Sequence, residues 1–285
     1  MIQTSIKEIC FMAEANFSIE HTRQLDHGEQ SYKGNNKLLN KKILITGGDS
    51  GIGRAVAIAY AREGADLVLS YLPEEQADAE EVQALVEQAG RTAHLIPGDL
   101  SDEAYCVQLV QEAYQCLGGL DSLTLIAGTQ NPVEHISNLE TEQLKRTFEV
   151  NVFSAFWMVK AAVPFLKPGS TIITTTSVQA YHPSEILLDY ASTKFALNGF
   201  TRGLAKQLAP SGIRVNGIAP GPIWTPLQFT GGLLPDQMQD FGKDTPLGRC
   251  GQPAELASTY VLLASDEASY ITAQIYGVTG GIELA

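Results

Sequence analysis

Cysteine is scarce in this sequence, and its few copies are not spaced as ligands or cross-links. The 285 residues include four cysteines, and none of them forms a Cys-x-x-Cys pair. We therefore predict neither a metal site nor a disulfide framework. Reduced thiols in a cytoplasmic protein are the expected state.

Long apolar runs are missing as well. No stretch approaches the roughly 20 apolar residues that a membrane helix requires. Residues 1–16 include Lys7, Glu8 and Glu14 where a secretory signal would have a continuous apolar segment. We expect neither a secretory signal nor a membrane partner.

Positive charge is in short supply. The chain has 19 Lys and Arg against 32 Asp and Glu, a formal net charge of −13. This balance lacks the basic surface that nucleic-acid binding needs, so we predict no nucleic-acid partner. An anionic cofactor can still bind, because backbone N–H groups can hold phosphate locally.

Apolar residues are plentiful at 44 %, enough for a large buried core. Short apolar runs alternate with helical patterns from Lys41 onward, and they predict an α/β fold with a doubly wound, seven-stranded parallel sheet, helices on both faces and one domain. The predicted strands are Lys42–Thr46, Ala65–Tyr71, Thr92–Pro97, Ser122–Ala127, Ser170–Thr176, Arg214–Ala219 and Gln274–Val278. The predicted helices include Gly53–Glu63, Glu74–Ala89, Ala104–Leu117, Thr141–Val163 and Asp189–Ala209.

Two segments stand outside this alternation. Residues 1–40 are polar and are interpreted as an N-terminal arm, with a short helix over Ile2, Ile6 and Ile9 or as a disordered tail. The domain then covers residues 41–285. The long segment Pro222–Pro246 is typical of a lid or binding loop.

A glycine-rich turn follows the first strand and opens a helix, in the order Thr46-Gly47-Gly-Asp-Ser50-Gly51-Ile52-Gly53-Arg54. Exposed N–H groups and the helix dipole make such a turn an anion site, and its glycines let the backbone approach a pyrophosphate. A second motif, Tyr190-Ala-Ser-Thr-Lys194, places a phenol and an ammonium on one helix face. A fixed positive charge lowers a nearby tyrosine pKa, so the pair is a candidate proton-transfer device.

Thr-Gly-x-x-x-Gly-x-Gly followed far downstream by Tyr-x-x-x-Lys resembles the compact, single-domain short-chain dehydrogenase/reductases over residues 41–281. The resemblance implies a Rossmann-type fold, an NAD or NADP cofactor, and a closest likeness to bacterial aldehyde or alcohol oxidoreductases with a long N-terminal arm, some of them general-stress proteins. It implies a catalytic set of Asn151, Ser177, Tyr190 and Lys194. The cofactor contacts it implies are Gly47, Ser50, Gly51, Ile52, Gly53, Tyr71, Asp99, Leu100, Ala127, Gly128, Tyr190, Lys194, Pro220, Gly221, Ile223 and Thr225.

In the implied reaction, hydride passes between the nicotinamide and a carbonyl or alcohol, which could be an aldehyde, a ketone or a sugar-like molecule. Tyr190 is the implied general acid and base, Ser177 orients the substrate oxygen, and Asn151 anchors a proton relay. Lys194 is expected to lower the pKa of Tyr190 and to hold the ribose. The resemblance also implies a homotetramer through the helices that carry Asn151 and Tyr190, which bear excess apolar residues.

Two departures from the family pattern matter. Leu125-Ile126-Ala127-Gly128 stands where the family often has Asn-Asn-Ala-Gly. The end of the second strand, at Tyr71, has neither the Asp typical of NAD binding nor a clear basic residue typical of NADP binding, although Arg54 is a weak candidate. The preference between NAD and NADP therefore stays open.

Two other functions were weighed. A non-enzymatic dinucleotide sensor or scaffold would be expected to have lost the tyrosine or the lysine, and an epimerase or dehydratase of the extended branch would have a different glycine spacing. Other polar residues have plainer interpretations: Asp189 as a helix cap, His182 as structural or exposed, and Glu74–Glu81 as a solvated helix start. By position alone, the candidates for the substrate pocket wall are Gln179, Tyr181, Ile186, Leu187 and Trp224.

Overall fold

The structure is a computed structural model that describes residues 25–231 and 240–285. The helix predicted over Ile2, Ile6 and Ile9 lies outside the described residues, as does the middle of Pro222–Pro246. Within the described ranges, no helix is both long and apolar enough to cross a membrane.

Strands and helices alternate along the described chain, as the apolar runs predict. The strands are β1 Lys42–Thr46, β2 Asp66–Tyr71, β3 Ala93–Pro97, β4 Ser122–Leu125, β5 Thr171–Thr175, β6 Arg214–Pro220 and β7 Ile275–Val278. The helices are α1 Gly51–Arg62, α2 Gln76–Gln88, α3 Glu103–Leu117, α4 Thr141–Phe148, α5 Ser154–Ala162, α6 Leu188–Leu208, α7 Pro226–Gly231 and α8 Ala254–Ala264. Every predicted strand is present to within two residues at either end.

All seven strands run parallel in the order β3-β2-β1-β4-β5-β6-β7, which confirms the doubly wound sheet. The order reverses between β1 and β4, where Ile43 pairs with Leu67 on one side and with Ser122 on the other. The carboxyl ends of parallel strands diverge at such a switch point, and ligands bind in the resulting crevice.

A buried core lies on each face of the sheet because successive strand residues point to opposite sides. Ile43 and Ile45 of β1 pack with α1, α2 and α8, around the fully buried Tyr60 and Tyr260. Leu44, between them, packs on the other face with α3, α5 and α6. Helix α8 was not among the predicted helices.

The helix predicted over Thr141–Val163 is not uniform. α4 and α5 are joined by a wider π-helical turn, Glu149–Phe153, which holds Asn151 at its middle. Such turns insert one extra residue into an α-helix and often occur at functional sites, because they turn a side chain out of the regular ladder.

Residues 25–40, the described part of the arm, lie against α1 and the start of α8. Glu63 receives hydrogen bonds from the Tyr32 hydroxyl at 2.6 Å and from the backbone amides of Asn35 and Lys37 at 2.8 and 2.9 Å. Leu38 is fully buried in the core. The domain boundary at residue 40 remains a prediction.

Candidate active site

A cavity of about 310 Å³ opens at the carboxyl ends of β1, β2, β3 and β4, at the switch point of the sheet. Many of the residues predicted to contact the cofactor line it: Gly47, Ser50, Gly51, Ile52, Gly53, Tyr71, Asp99, Leu100, Ala127, Gly128 and Thr225. The other predicted contacts do not line it: Tyr190, Lys194, Pro220, Gly221 and Ile223. Gly221 instead donates its amide to Val278 O at 2.9 Å, and Ile223 is buried against the core.

The glycine loop has the shape of a phosphate cradle. Gly47 has φ +65° and Gly51 has φ +50°, the left-handed region that glycine adopts without strain. A Cβ on Gly53 would collide with the Gly47 carbonyl oxygen. Because α1 begins at Gly51, its free N-terminal N–H groups lie at the cavity wall. These residues fit the pyrophosphate of a dinucleotide.

Asn151 is held rigidly by its own amide. Its Oδ1 accepts the Thr129 amide at 2.8 Å, and its Nδ2 donates to Thr129 O at 2.9 Å and to Thr193 Oγ1 at 3.0 Å. These bonds tie the loop after β4 to α6, the helix that carries Tyr190. A Cβ on Gly128 would lie 3.3 Å from Asn151 Oδ1 and 3.4 Å from Lys194 Nζ, so only glycine leaves this corner of the site open.

Tyr190 and Lys194 share one face of α6 and are both nearly buried, at 8 % and 3 % exposure. Lys194 Nζ lies 5.4 Å from the centre of the Tyr190 ring and donates to Thr175 O at 2.9 Å. Ser177 follows β5, hydrogen-bonds the Tyr190 side chain, and accepts the Gln179 amide at 3.1 Å. None of the four predicted catalytic residues lines the cavity itself, but Ser177, Tyr190 and Lys194 lie together, and Gly128 of the cavity wall lies next to Asn151 and Lys194.

The pKa of Tyr190 corrects one expectation. The sequence predicted that Lys194 would lower it, but burial raises the pKa of Tyr190 to about 12, against the lowering effect of the Ser177 hydrogen bond. Burial also lowers the pKa of Lys194 to about 8. The net direction for Tyr190 is reversed because removal from water disfavours both charged forms.

Asp99 is already paired with a cation, Arg146, which no sequence motif marks. Both of its carboxylate oxygens accept from Arg146 Nη1, at 2.7 and 2.6 Å, and one also accepts the Ser101 amide at 2.9 Å. Despite partial burial, these contacts lower the pKa of Asp99. The cofactor contact implied for Asp99 would therefore form beside an existing ion pair.

Two further carboxylates line the cavity, and neither was predicted to belong to the site. Asp49 belongs to the glycine loop, and Glu75 lies 22 residues beyond Gly53, in the segment interpreted as a solvated helix start. Its distance from the glycine loop could have indicated a role for Glu75, because dinucleotide sites place an acidic residue about 20 residues after their glycines. The solvated interpretation of Glu74–Glu81 is thus wrong for Glu75.

The residues proposed for the substrate side occupy varied positions. His182 is exposed and its Nε2 lies 2.8 Å from Glu283 O, Gln179 Oε1 accepts the Ser184 amide at 2.6 Å, and Trp224 packs edge-on against Phe229. The N-cap of α6 is Leu187, so the interpretation of Asp189 as the cap is wrong. Asp189 lies buried in the first turn of the helix and accepts the Tyr190 amide at 2.8 Å and the Thr147 hydroxyl at 2.7 Å. Asp189 thereby ties the start of α6 to α4.

Comparison with known proteins places this site in context. A family model described as enoyl-(acyl carrier protein) reductase matches residues 47–283. The chain is 62 % identical over 263 residues to an uncharacterized oxidoreductase of Bacillus subtilis, YhxD, covering 91 % of this chain and 88 % of that one. It is 51 % identical over 252 residues to general stress protein 39 of the same organism, covering 88 % and 87 %. A short-chain dehydrogenase of Burkholderia cenocepacia, solved with NADP, superposes with a TM-score of 0.80 at 29 % identity, covering 86 % and 98 %.

Proposed function

The chain belongs to the short-chain dehydrogenase/reductase family, whose members are NAD- or NADP-dependent oxidoreductases, and we propose that it exchanges hydride between the cofactor and a carbonyl or alcohol. The substrate we propose is an aldehyde, a ketone or a sugar-like alcohol. In the direction of oxidation, a CH–OH group of the substrate then gives its hydride to NAD or NADP. The observation that supports this most directly is the buried Ser177–Tyr190–Lys194 group, which lies next to Gly128 in the wall of the cavity that the glycine loop also lines.

When bound, the nicotinamide supplies or accepts the hydride. In reduction, Tyr190 gives its phenolic proton to the substrate oxygen, and in oxidation the phenolate takes that proton back. Ser177 already hydrogen-bonds Tyr190, so a substrate oxygen that contacts both hydroxyls would be fixed in orientation before the hydride moves.

The high pKa of Tyr190 defines its protonation state. At neutral pH a phenol with a pKa of about 12 is protonated, so it can donate its proton in carbonyl reduction and must first lose it to act as the base in alcohol oxidation. Lys194, with a pKa of about 8, still holds its charge at pH 7 and stabilises the phenolate as the proton leaves. We propose that Lys194 also holds the nicotinamide ribose, and that Asn151 anchors a proton relay to Lys194.

We also propose a homotetramer. Helices α5 and α6, which follow Asn151 and carry Tyr190, expose Phe156 at 52 % and Phe195 at 68 %. Phe153 and Leu188, at the starts of the same helices, are exposed as well, and this concentration of apolar side chains supports a contact between copies. Light scattering that gave the mass of one chain would contradict this.

We propose the cytoplasm as the location, since the described cysteines Cys106, Cys116 and Cys250 are free, as in a reducing compartment.

The test is a panel of aldehydes, ketones and sugars with NADH and NADPH, run on the native protein, Tyr190→Phe and Tyr114→Phe. Tyr114 stacks on Phe165 away from the site, so its variant controls for the loss of a phenolic hydroxyl alone. We expect Tyr190→Phe to lose about 10²- to 10⁴-fold in turnover and Tyr114→Phe to keep it. Native-level turnover in Tyr190→Phe would overturn the assignment. Tight cofactor binding with no turnover on any substrate would favour the sensor or scaffold instead.

A further inference from the structure

The end of the cavity beside β2 is acidic. Among the described residues that line the cavity, the charged ones are Asp49, Glu75, Asp99 and Arg146. Arg146 is bound to both oxygens of Asp99, so its charge is already matched. Asp49 and Glu75 thus leave a net negative charge where the glycine loop meets the end of β2.

This is the end at which a dinucleotide places its adenosine ribose. The glycine loop holds the pyrophosphate at the start of α1, and the ribose next to it lies toward the carboxyl end of the second strand. Tyr71 and Leu72, at that strand end, line the same part of the cavity as Glu75. In dinucleotide sites a carboxylate here accepts the ribose hydroxyls, whereas an arginine here accommodates a 2′-phosphate.

Both carboxylates are poorly solvated. Asp49 is only 2 % exposed, and Glu75 is half-buried with its Oε2 accepting the Leu72 amide at 3.2 Å. Burial, with a further contribution from the charge of Asp49, raises the pKa of Glu75 to about 7. The negative charge of a 2′-phosphate would add to the repulsion between these carboxylates, whereas a ribose hydroxyl that donates to one of them would relieve it.

The basic residue that could have offset this charge is held elsewhere. Arg54, at the start of α1, does not line the cavity. Its Nε lies 3.1 Å from Glu29 of the arm and its Nη1 lies 3.3 Å from Glu81 of α2. Glu29 and Glu81 both pair with the guanidinium, which therefore lies outside the cavity.

We infer that Glu75, supported by Asp49, makes this protein select NAD(H) over NADP(H), by accepting the ribose hydroxyls of NAD(H) and repelling the 2′-phosphate of NADP(H). This rests on the proposed dinucleotide-dependent function and names its cofactor. Tyr71, the position at which the sequence leaves the preference open, is not the determinant. The determinant lies four residues further along, at Glu75, immediately before α2.

Calorimetric titration of NADH and of NADPH into the folded protein tests this without catalysis. The native protein should bind NADH at least about tenfold more tightly than NADPH, which corresponds to about 1.4 kcal/mol. Glu75→Gln keeps an acceptor for the Leu72 amide but removes the charge, and it should narrow that ratio about fivefold or more, mainly through tighter NADPH binding. Glu74→Gln, an exposed neighbour outside the cavity, removes the same charge and should leave the ratio within about twofold.

Equal affinity for the two cofactors in the native protein would overturn the inference, as would equal effects of Glu75→Gln and Glu74→Gln. If Glu75→Gln fails to fold by circular dichroism, Asp49→Asn carries the same test, and an unchanged ratio in that variant would count against the inference. Failure of the folded native protein to bind either cofactor is a different result, because it would overturn the proposed function itself.

Discussion

Replacing Lys194 should stabilise the protein while removing its activity. The side chain is 3 % exposed, and burial lowers its pKa from 10.5 to about 8. At 1.36 kcal/mol per pH unit, this difference corresponds to about 3 kcal/mol against the charged form in the folded state. Lys194→Met removes that penalty but leaves Thr175 O without its 2.9 Å donor, a loss of about 1–2 kcal/mol. We expect a net gain of about 1–2 kcal/mol at pH 7.

The pH dependence identifies the cause. The pKa of Lys194 is lower in the folded protein than in the unfolded chain, so the cost of burying its charge is present in full below pH 8. Between pH 8 and 10.5 this cost disappears, because the folded protein has already lost the proton that the unfolded chain still holds. The stability of the native protein should therefore rise through this window relative to Lys194→Met. The advantage of the variant at pH 7 should vanish near pH 10.

Urea unfolding at pH 7, 8.5 and 10 measures this for the native protein, Lys194→Met and Lys206→Met. Lys206 lies on the same helix but is exposed, so its variant should stay within about 0.5 kcal/mol of the native protein at each pH. The reasoning is refuted if Lys194→Met is less stable than the native protein at pH 7, or if the difference between them does not change with pH.

Three further outcomes are expected. Glu63→Ala leaves three hydrogen-bond donors of residues 32–37 without an acceptor. The free energy of unfolding should therefore fall by about 3 kcal/mol, and protease should cut the arm faster. An unchanged unfolding curve would contradict the contact between the arm and Glu63. Ser177→Ala removes the hydrogen bond that lowers the pKa of Tyr190, so the pH profile of alcohol oxidation should move to higher pH, and a profile that moves to lower pH would contradict this. Glu75 has a pKa of about 7 and is faced by Asp49, Glu74 and Asp78, so it gains its negative charge between pH 6 and pH 8. The preference for NADH over NADPH in calorimetric titrations should therefore grow over this range. A preference that shrinks would contradict the role of Glu75.

The fold was largely predictable because its determinants repeat along the chain. Each strand of a covered parallel sheet is apolar on both faces, and the seven apolar runs mark the strands to within two residues. Helix α8 was not predicted because most of its sides are apolar and its 11 residues show little contrast between faces. The π-helical turn at Asn151 was not predicted, and the contacts of its amide with Thr129 and with Thr193 of α6 are between residues far apart in the sequence.

The candidate site was predictable where it depends on motifs and hidden where it depends on neighbours. The glycine loop and the Tyr190–Lys194 spacing are properties of adjacent residues, so they could be recognised directly. Arg146 pairs with Asp99 across 47 positions of sequence, and Arg54 with Glu29 across 25. No local pattern marks such partners.

By itself the sequence determined the alternation of strands and helices, the anion-binding turn and the shared helix face of Tyr190 and Lys194, because each depends on contacts within a few residues. Only the tertiary structure decided that the pKa of Tyr190 rises rather than falls, and that Asp49 and Glu75 line the same cavity. Burial and charge pairing are sums over residues far apart in the chain, and they exist only once the sheet has brought its strand ends together.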